Sequence, residues 1–248
     1  SVGEALQATG YAGEAEPHAL GAYFETHIEQ GPVLEQTRTT IGVVLGALGQ
    51  RWFDVAIVGQ DSHAGPTPME TRKDALLAAS RLVLEVNRIA STFPDYARGT
   101  MGSMQVKPNS RNVVPGEVRM TVDLRNAKDA TLSSMVEDLK RCAARAASEC
   151  RVEISLTEVV YFPPSEFAPE LVASVREGSR KFGYSHRDIV SGAAHDAVYM
   201  ARIAPTAMVF VPCEGGISHN EIENARPEDV AAGCNVLLHA VLGRAGMA

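Results

Sequence analysis

Between residues 117 and 125 apolar and polar positions alternate strictly, with Val118, Met120, Val122 and Leu124 on one face. That is the period of a half-buried strand. From about Ala130 to Glu149 the period lengthens to that of an amphipathic helix, aligning Leu132, Met135, Val136, Leu139, Cys142 and Ala146. A similar stripe of Leu76, Ala79, Val83, Val86 and Ala90 predicts a helix from about Lys73 to Ala90. Trp52 to Val58, Gly99 to Val106 and Ile154 to Phe162 read as strands. Pro66 and Pro68 exclude regular structure from the loop after Val58, and Asn109 to Gly116 reads as a loop. The order strand-helix-strand-strand-helix-strand is that of the split βαβ, ferredoxin-like unit (βαββαβ), with two helices on one face of an antiparallel sheet. It occupies roughly 50–162 and closes at Pro163-Pro164, a candidate hinge.

The flanking sequence has another style. A short helical pattern ends at Gly10, and a polar loop follows through Pro17. Ala22-Tyr23-Phe24 reads as a short strand entering Thr26-His27-Ile28-Glu29-Gln30-Gly31-Pro32, and a helical turn begins at Pro32. Ile41 to Leu45 is a β-branched run suited to a buried strand. After the double proline come a helix over about 169–182, a strand Asp188-Ile189-Val190, and the loop Ser191-Gly192-Ala193-Ala194-His195-Asp196 leading into another helix. The strand Ala207 to Val211, the loop Pro212 to Glu221 and a closing helix from about Pro227 to Leu242 complete the chain. Strands alternating with helices predict an α/β layer. Segments 1–48 and 165–248 therefore read as one α/β domain interrupted by an inserted unit over 49–164.

Composition narrows the class without naming it. The 248 residues are 45% hydrophobic and 21% charged, ordinary for a globular protein. The net charge of -7, with no basic block, gives no reason to expect nucleic acid or an anionic membrane surface as a partner. No apolar run approaches a membrane span, and no charged stretch followed by an apolar one marks a secretory signal. Cys142, Cys150, Cys213 and Cys234 show no CxxC pairing, so a reduced, cytoplasmic protein is the simplest expectation. The chain opens on Ser1-Val2-Gly3 with no initiator methionine.

Five loops concentrate polar chemistry: His27 with Gln30, His63, Asn112, His195 with Asp196, and His219 with Asn220. Loops at the carboxyl ends of strands in an α/β frame gather at one crevice. Histidines converging there without cysteine would suit a divalent cation. His18, His186 and His239 lack a turn or acidic partner and read as structural. Ser218-His219-Asn220-Glu221 also fits a helix capping box, Ser218 capping and Glu221 answering. Arg125 ends the alternating strand on its polar face. It reads either as part of a solvated face, paired to Asp123 or free, or as a bidentate clamp for a carboxylate.

Taken together, Thr26–Pro32, Ser62-His63-Ala64-Gly65-Pro66-Thr67-Pro68-Met69, Asn112-Val113-Val114-Pro115-Gly116, Val122-Asp123-Leu124-Arg125, Ser191–Ala197 and Gly216-Ile217-Ser218-His219-Asn220 form an ordered set. In that order they resemble the carbamoylase/allantoate amidohydrolase/β-ureidopropionase branch of the aminoacylase-type di-metal hydrolases. The resemblance implies a partial α/β metallohydrolase catalytic domain interrupted by a ferredoxin-like lid that also forms a homodimer. It implies hydrolysis of a linear amide, the carbamoyl C–N bond of an N-carbamoyl-L-amino acid or related ureido acid, with two divalent cations (zinc, manganese, cobalt or nickel). His27 and His219 would each ligate one cation. Gln30, Asn112, Arg125 and His195 would line the substrate site, Arg125 holding the carboxylate. His63, from a partner subunit's lid, would polarise the scissile carbonyl and act catalytically.

Two departures from the family pattern stand out. Ala194 takes a position usually held by glycine. The family's His-x-Asp and Glu-Glu elements, which precede the His27 motif and supply further ligands and the general base, have no counterpart ahead of His27. The expectation is therefore a carboxyl-terminal portion that is inactive alone, a non-catalytic binding and dimerisation fragment being the other reading. An aminoacylase or peptidase is the alternative among enzymes.

Overall fold

The computed structural model describes residues 1–14, 18–93 and 96–246, so part of the expected polar loop, 15–17, lies outside the described residues. Helix α1 (Val2–Thr9) is closed by a capping box at its start, Ser1 with Glu4, and by Gly10 at φ 72°. None of its residues is buried. Strand β1 (Tyr23–Ile28) leads through a tight turn to α2 (Val33–Gln36) and then to β2 (Ile41–Ala47). Leu48 alone separates β2 from β3 (Gly49–Val58). Next come β4 (Ser62–His63), α3 (Ala75–Thr92), β5 (Arg98–Thr100), β6 (Met104–Lys107), β7 (Val113–Val114), β8 (Glu117–Asn126), α4 (Asp129–Cys150) and β9 (Glu153–Phe162). The chain then passes through β10 (Ser165–Glu166), α5 (Pro169–Lys181), β11 (His186–Ser191), α6 (Asp196–Met200), β12 (Thr206–Val211) and α7 (Pro227–Arg244).

Two sheets result. In the second, β9, β3 and β8 lie side by side antiparallel, and β5 and β6 together flank β8. Helices α3 and α4 pack on it and on each other. This is the split βαβ order. All four expected inward residues of β8 and all six named on α4 are buried. The α3 stripe differs from expectation. Ala75, Ala78, Ala79, Leu82, Val86 and Ile89 are buried, while Leu76, Val83 and Ala90 are only partly so. The buried face is turned by about one residue from the expected one, so that Leu82 and Ile89 point inward in place of Val83 and Ala90. The strand expected over 99–106 is broken at 101–103, where Gly102 weakens the ladder.

In the first sheet β1 runs parallel to β12, β12 antiparallel to β2, and β2 parallel to β11. All six residues of β12 are buried, as an unbroken apolar run between layers requires. Helices α5 and α7 pack against this sheet. Its core, built on Leu34, Val43, Met208 and Phe210, shares no residue with that of the second sheet. The chain crosses between the sheets twice, at adjacent points. A Cβ on Gly49 would lie 2.6 Å from the Pro164 ring, and the Leu48 amide donates to the Ser191 carbonyl at 2.9 Å.

β1 extends further than expected. It continues through Ile28, so His27 belongs to the ladder, opposite Phe210, and not to the turn.

Candidate active site

Residues two apart on a strand share a face, so Glu25 and His27 project together from β1. His27 Nδ1 lies 2.9 Å from the Ile28 carbonyl oxygen. A carbonyl only accepts, so Nδ1 carries the proton and Nε2 presents its lone pair, the tautomer a metal ligand needs. The His195 ring packs edge-on against it, centroids 4.6 Å apart at 62°, and Phe210 closes the group 5.4 Å from His195.

His195 is enclosed, with a side chain only 1% exposed. Its Nε2 is 2.7 Å from Ser191 Oγ, and its Nδ1 is 4.0 Å from the Glu25 carboxylate. Burial, reinforced by the neighbouring His27, holds its pKa down at about 4 and keeps the ring neutral. Its imidazole is thus engaged by Ser191 and packed against His27. Ala194 is exposed and keeps a negative φ, so its methyl is accommodated without strain. The Glu25 carboxylate accepts from the Ala197 amide at 2.8 Å and from the Tyr23 hydroxyl at 3.3 Å. Burial, then Glu25, pushes the Tyr23 hydroxyl's pKa up.

The turn after β1 is fixed from both sides. Glu29 accepts from the Val33 and Leu34 amides at 2.9 and 2.7 Å, capping α2. Gln30, at φ 58°, donates to Ser218 Oγ at 3.2 Å, which joins this turn to the loop bearing His219. Gly216, at φ 64°, packs so closely on Pro32 that a Cβ would lie 2.6 Å from its Cα. The Ser218–Glu221 capping box does not form, because no helix begins there and α7 starts at Pro227. Glu223 accepts from the His219 amide at 3.1 Å instead, and its pKa is lowered first by Ser218 and then by that amide. Among the described residues the His219 imidazole makes no hydrogen bond.

His27 Nε2 and the His219 ring thus have the chemistry of cation ligands. Glu25, Glu29 and Glu223 all have carboxylate oxygens spent on hydrogen bonds. Among the described residues no group of three or more His, Cys, Asp or Glu is placed to hold a metal ion.

His63 and Asn112 form a separate pair. Strands β4 and β7 make a two-stranded ribbon with His63 opposite Val113, and the Ala64 amide donates to the Asn112 carbonyl at 2.9 Å. His63 Nδ1 accepts from the Gly65 amide at 3.1 Å, so its exposed ring offers Nε2–H as a donor.

Arg125 is committed on three nitrogens. Its Nε and Nη2 hold Asp123, the shortest contact being 2.6 Å, and its Nη1 donates to the Gly192 carbonyl at 2.7 Å. The simpler reading, pairing with Asp123, therefore holds, and the residue also ties the second sheet to the His195 loop. Beside this tie lies a cavity of about 570 Å³ lined by Gln30, Gly192, Arg98, Arg187 and Phe210.

The structure thus gathers His27, His195, Gln30, the His219 loop and, through Gly192, Arg125. Among the described residues no hydrogen bond or ring contact joins His63 or Asn112 to that group. Glu25, Ser191, Ser218 and Glu223 were missed from sequence. Of these only Glu25 carries a local signal, its two-residue spacing from His27.

The sequence profile of peptidase family M20/M25/M40 matches residues 4–243. An N-carbamoyl-L-amino-acid amidohydrolase of Rhizobium meliloti is 43% identical over 244 residues, 98% of this chain and 59% of that protein. An allantoate amidohydrolase of Escherichia coli (strain K12) is 36% identical over 218 residues, 88% of this chain and 53% of that protein. The crystal structure of an amidase of the hydantoinase/carbamoylase family from Burkholderia multivorans superposes with a TM-score of 0.94 at 55% identity, covering 99% of this chain and 60% of that one. The chain thus spans between half and six-tenths of the length of these relatives.

Proposed function

The chain belongs to peptidase family M20/M25/M40, and from that membership we propose that it is part of a metal-dependent amidohydrolase acting on the ureido C–N bond of N-carbamoyl-L-amino acids or a related ureido acid. The observation that carries this reading is His27. Its Nδ1 is locked to Ile28, its Nε2 is left with a free lone pair, and it stands one turn from Gln30 and the His219 loop. The similarity to proteins named as carbamoyl-amino-acid and allantoate amidohydrolases supports the ureido class ahead of the aminoacylase or peptidase alternative.

In this proposal His27 and His219 each hold one divalent cation (zinc, manganese, cobalt or nickel), which when bound supplies Lewis acidity toward the ureido carbonyl and water. Gln30 orients the ureido group from the turn, and Arg125 receives the substrate carboxylate through the donors that Asp123 and Gly192 leave unused. His63 Nε2–H and Asn112, carried on one ribbon, act together on the scissile carbonyl. They come from a partner subunit, paired through the unit over 49–164, which serves as lid and dimerisation surface. A reducing, cytoplasmic setting accords with four cysteines that form no disulfide.

The partial span of the relatives favours a second statement, that the 248-residue chain binds substrate without turning it over. Ammonia release should be measured from N-carbamoyl amino acids and allantoate, and free amino acid from N-acyl amino acids and peptides, with added manganese or zinc. The 248-residue chain is expected to be inactive, and appreciable turnover by it overturns that statement. In the complete enzyme, Arg125→Ala should mainly raise KM for carboxylate substrates. Cleavage of N-acyl amino acids or peptides without any ureido hydrolysis would sink the ureido assignment.

A further inference from the structure

We propose that His195 is a positioning residue that fixes the orientation of the His27 ring without contacting substrate, an inference that rests on reading His27 as a ligand. A histidine held only by one bond from Nδ1 to the next residue's carbonyl keeps a soft rotation about its Cβ–Cγ bond. His27 has that bond, at 2.9 Å, and little else that is polar. What limits its rotation is the ring edge of His195, 4.6 Å from it between centroids, with Phe210 6.5 Å away on the opposite strand. A turned His27 ring would lose the Ile28 bond and sweep into His195.

His195 can act as this stop because it is itself hydrogen-bonded at Nε2 and enclosed on its other side. Ser191 Oγ fixes Nε2 at 2.7 Å, and the Ser191 oxygen also accepts from the Ala193 amide at 3.1 Å, which closes the loop that presents the ring. On the other side Nδ1 faces Glu25 at 4.0 Å. Glu25 is in turn pinned by the Ala197 amide, two residues beyond His195. Glu25 and His27 leave the same face of β1, so His195 is wedged across both. Burial to 1% leaves it no path to a substrate.

A purely structural core histidine would explain the burial and the Ser191 bond, but it predicts nothing about His27. The test is therefore read at His27. In the metal-free 248-residue chain at about pH 8, above the ordinary histidine range, long-range 1H–15N spectra of 15N-histidine-labelled protein report each ring's tautomer. His27 should be a single Nδ1–H species. His195→Ala should convert it to a mixture of tautomers. His195→Phe should preserve the single species, because a phenyl ring keeps the edge contact and Ser191 retains the Ala193 carbonyl, 3.0 Å away, as acceptor. An unchanged His27 tautomer in His195→Ala, with only lower stability, overturns the proposal. If that variant does not fold, Ser191→Ala serves: a broadened or shifted His27 signal supports the proposal, and an unaltered one overturns it.

In the complete enzyme the same His195→Ala change should weaken metal affinity by about ten- to a hundredfold and lower kcat with little change in KM. A selective rise in KM would mean direct substrate contact and would also overturn it. The tautomer readout needs no activity. It can succeed where ureido hydrolysis fails, or fail where hydrolysis succeeds, so the two readings are judged separately.

Discussion

Gly216→Ala tests how the two site loops are held together. Gly216 has φ 64°, and a Cβ built there would lie 2.6 Å from both Cα and Cβ of Pro32 and 2.8 Å from its nitrogen. Two costs follow. An L-residue in the left-handed region costs about 1–2 kcal/mol, and forcing a methyl into a filled contact costs about 1–3 kcal/mol more. The obstructing atoms are largely backbone, so no side-chain rotation relieves them. The expected loss is therefore about 2–5 kcal/mol, large beside the stability of an ordinary domain. Gly183→Ala separates the two costs, since Gly183 has φ 72° and nothing within 4 Å of its added Cβ. It should cost only the first, about 1–2 kcal/mol.

Urea unfolding of the two variants and the parent gives the comparison directly. The excess loss in Gly216→Ala over Gly183→Ala measures the Pro32 contact. The Gln30–Ser218 hydrogen bond, 3.2 Å long, bridges the same two loops and should be lost with it. Equal destabilisation by the two substitutions would refute the argument that these loops are clamped at Gly216, and a Gly216→Ala variant as stable as the parent would refute it outright.

The acid stability of the chain should carry a His195 contribution. Its folded pKa of about 4 lies below the ordinary 6.5, so between these values the unfolded chain binds a proton that the folded one refuses. The contribution is complete above about pH 6.5 and is lost as pH falls toward 4, reaching at most about 3 kcal/mol. In metal-free protein, His195→Phe should lose less stability than the parent between those two pH values, and parallel losses would contradict the assignment. Thiol chemistry gives an independent check on packing. Cys234 is exposed, Cys142, Cys150 and Cys213 are buried, and burial pushes the Cys142 and Cys213 thiols up. A thiol reagent near neutral pH should label Cys234 quickly and the others slowly, as read by peptide mass spectrometry. Comparable labelling of Cys213 would mean that the turn at Gly31 opens readily.

The parts of the fold that were legible are those where one local period decides the outcome. Val118, Met120, Val122 and Leu124 all face the core because a strand in the middle of a sheet with helices on one side has one buried face. The α4 stripe holds for the same reason at the helical period. The α3 stripe is turned by about one residue, onto Ala75, Ala78, Leu82, Val86 and Ile89, because two neighbouring apolar stripes satisfy the helical period nearly equally and tertiary packing chooses between them. Likewise Ser218 and Glu221 have the spacing of a capping box, but no apolar run follows them. Residues 222–226 do not continue a helix, and the oxygen that His219's amide needs comes from Glu223.

The site divides along the same line. His27, Gln30, His219, His63 and Arg125 are visible because each sits in a short segment whose polar residues have no local reason to be there. A partner is visible only when it lies two residues away on the same strand face, as Asp123 is to Arg125. Ser218 and Gly192 reach their partners through tertiary contacts, 188 residues apart for Gln30 and Ser218 and 67 for Arg125 and Gly192. No period encodes those distances. His195 shows the consequence most clearly. Its loop marks it as functional, and its chemistry would suit a substrate contact. The side of His27 on which it lies is decided by the pairing of β1 with β12 and by the Ala197 amide on Glu25, which turn its ring inward against His27.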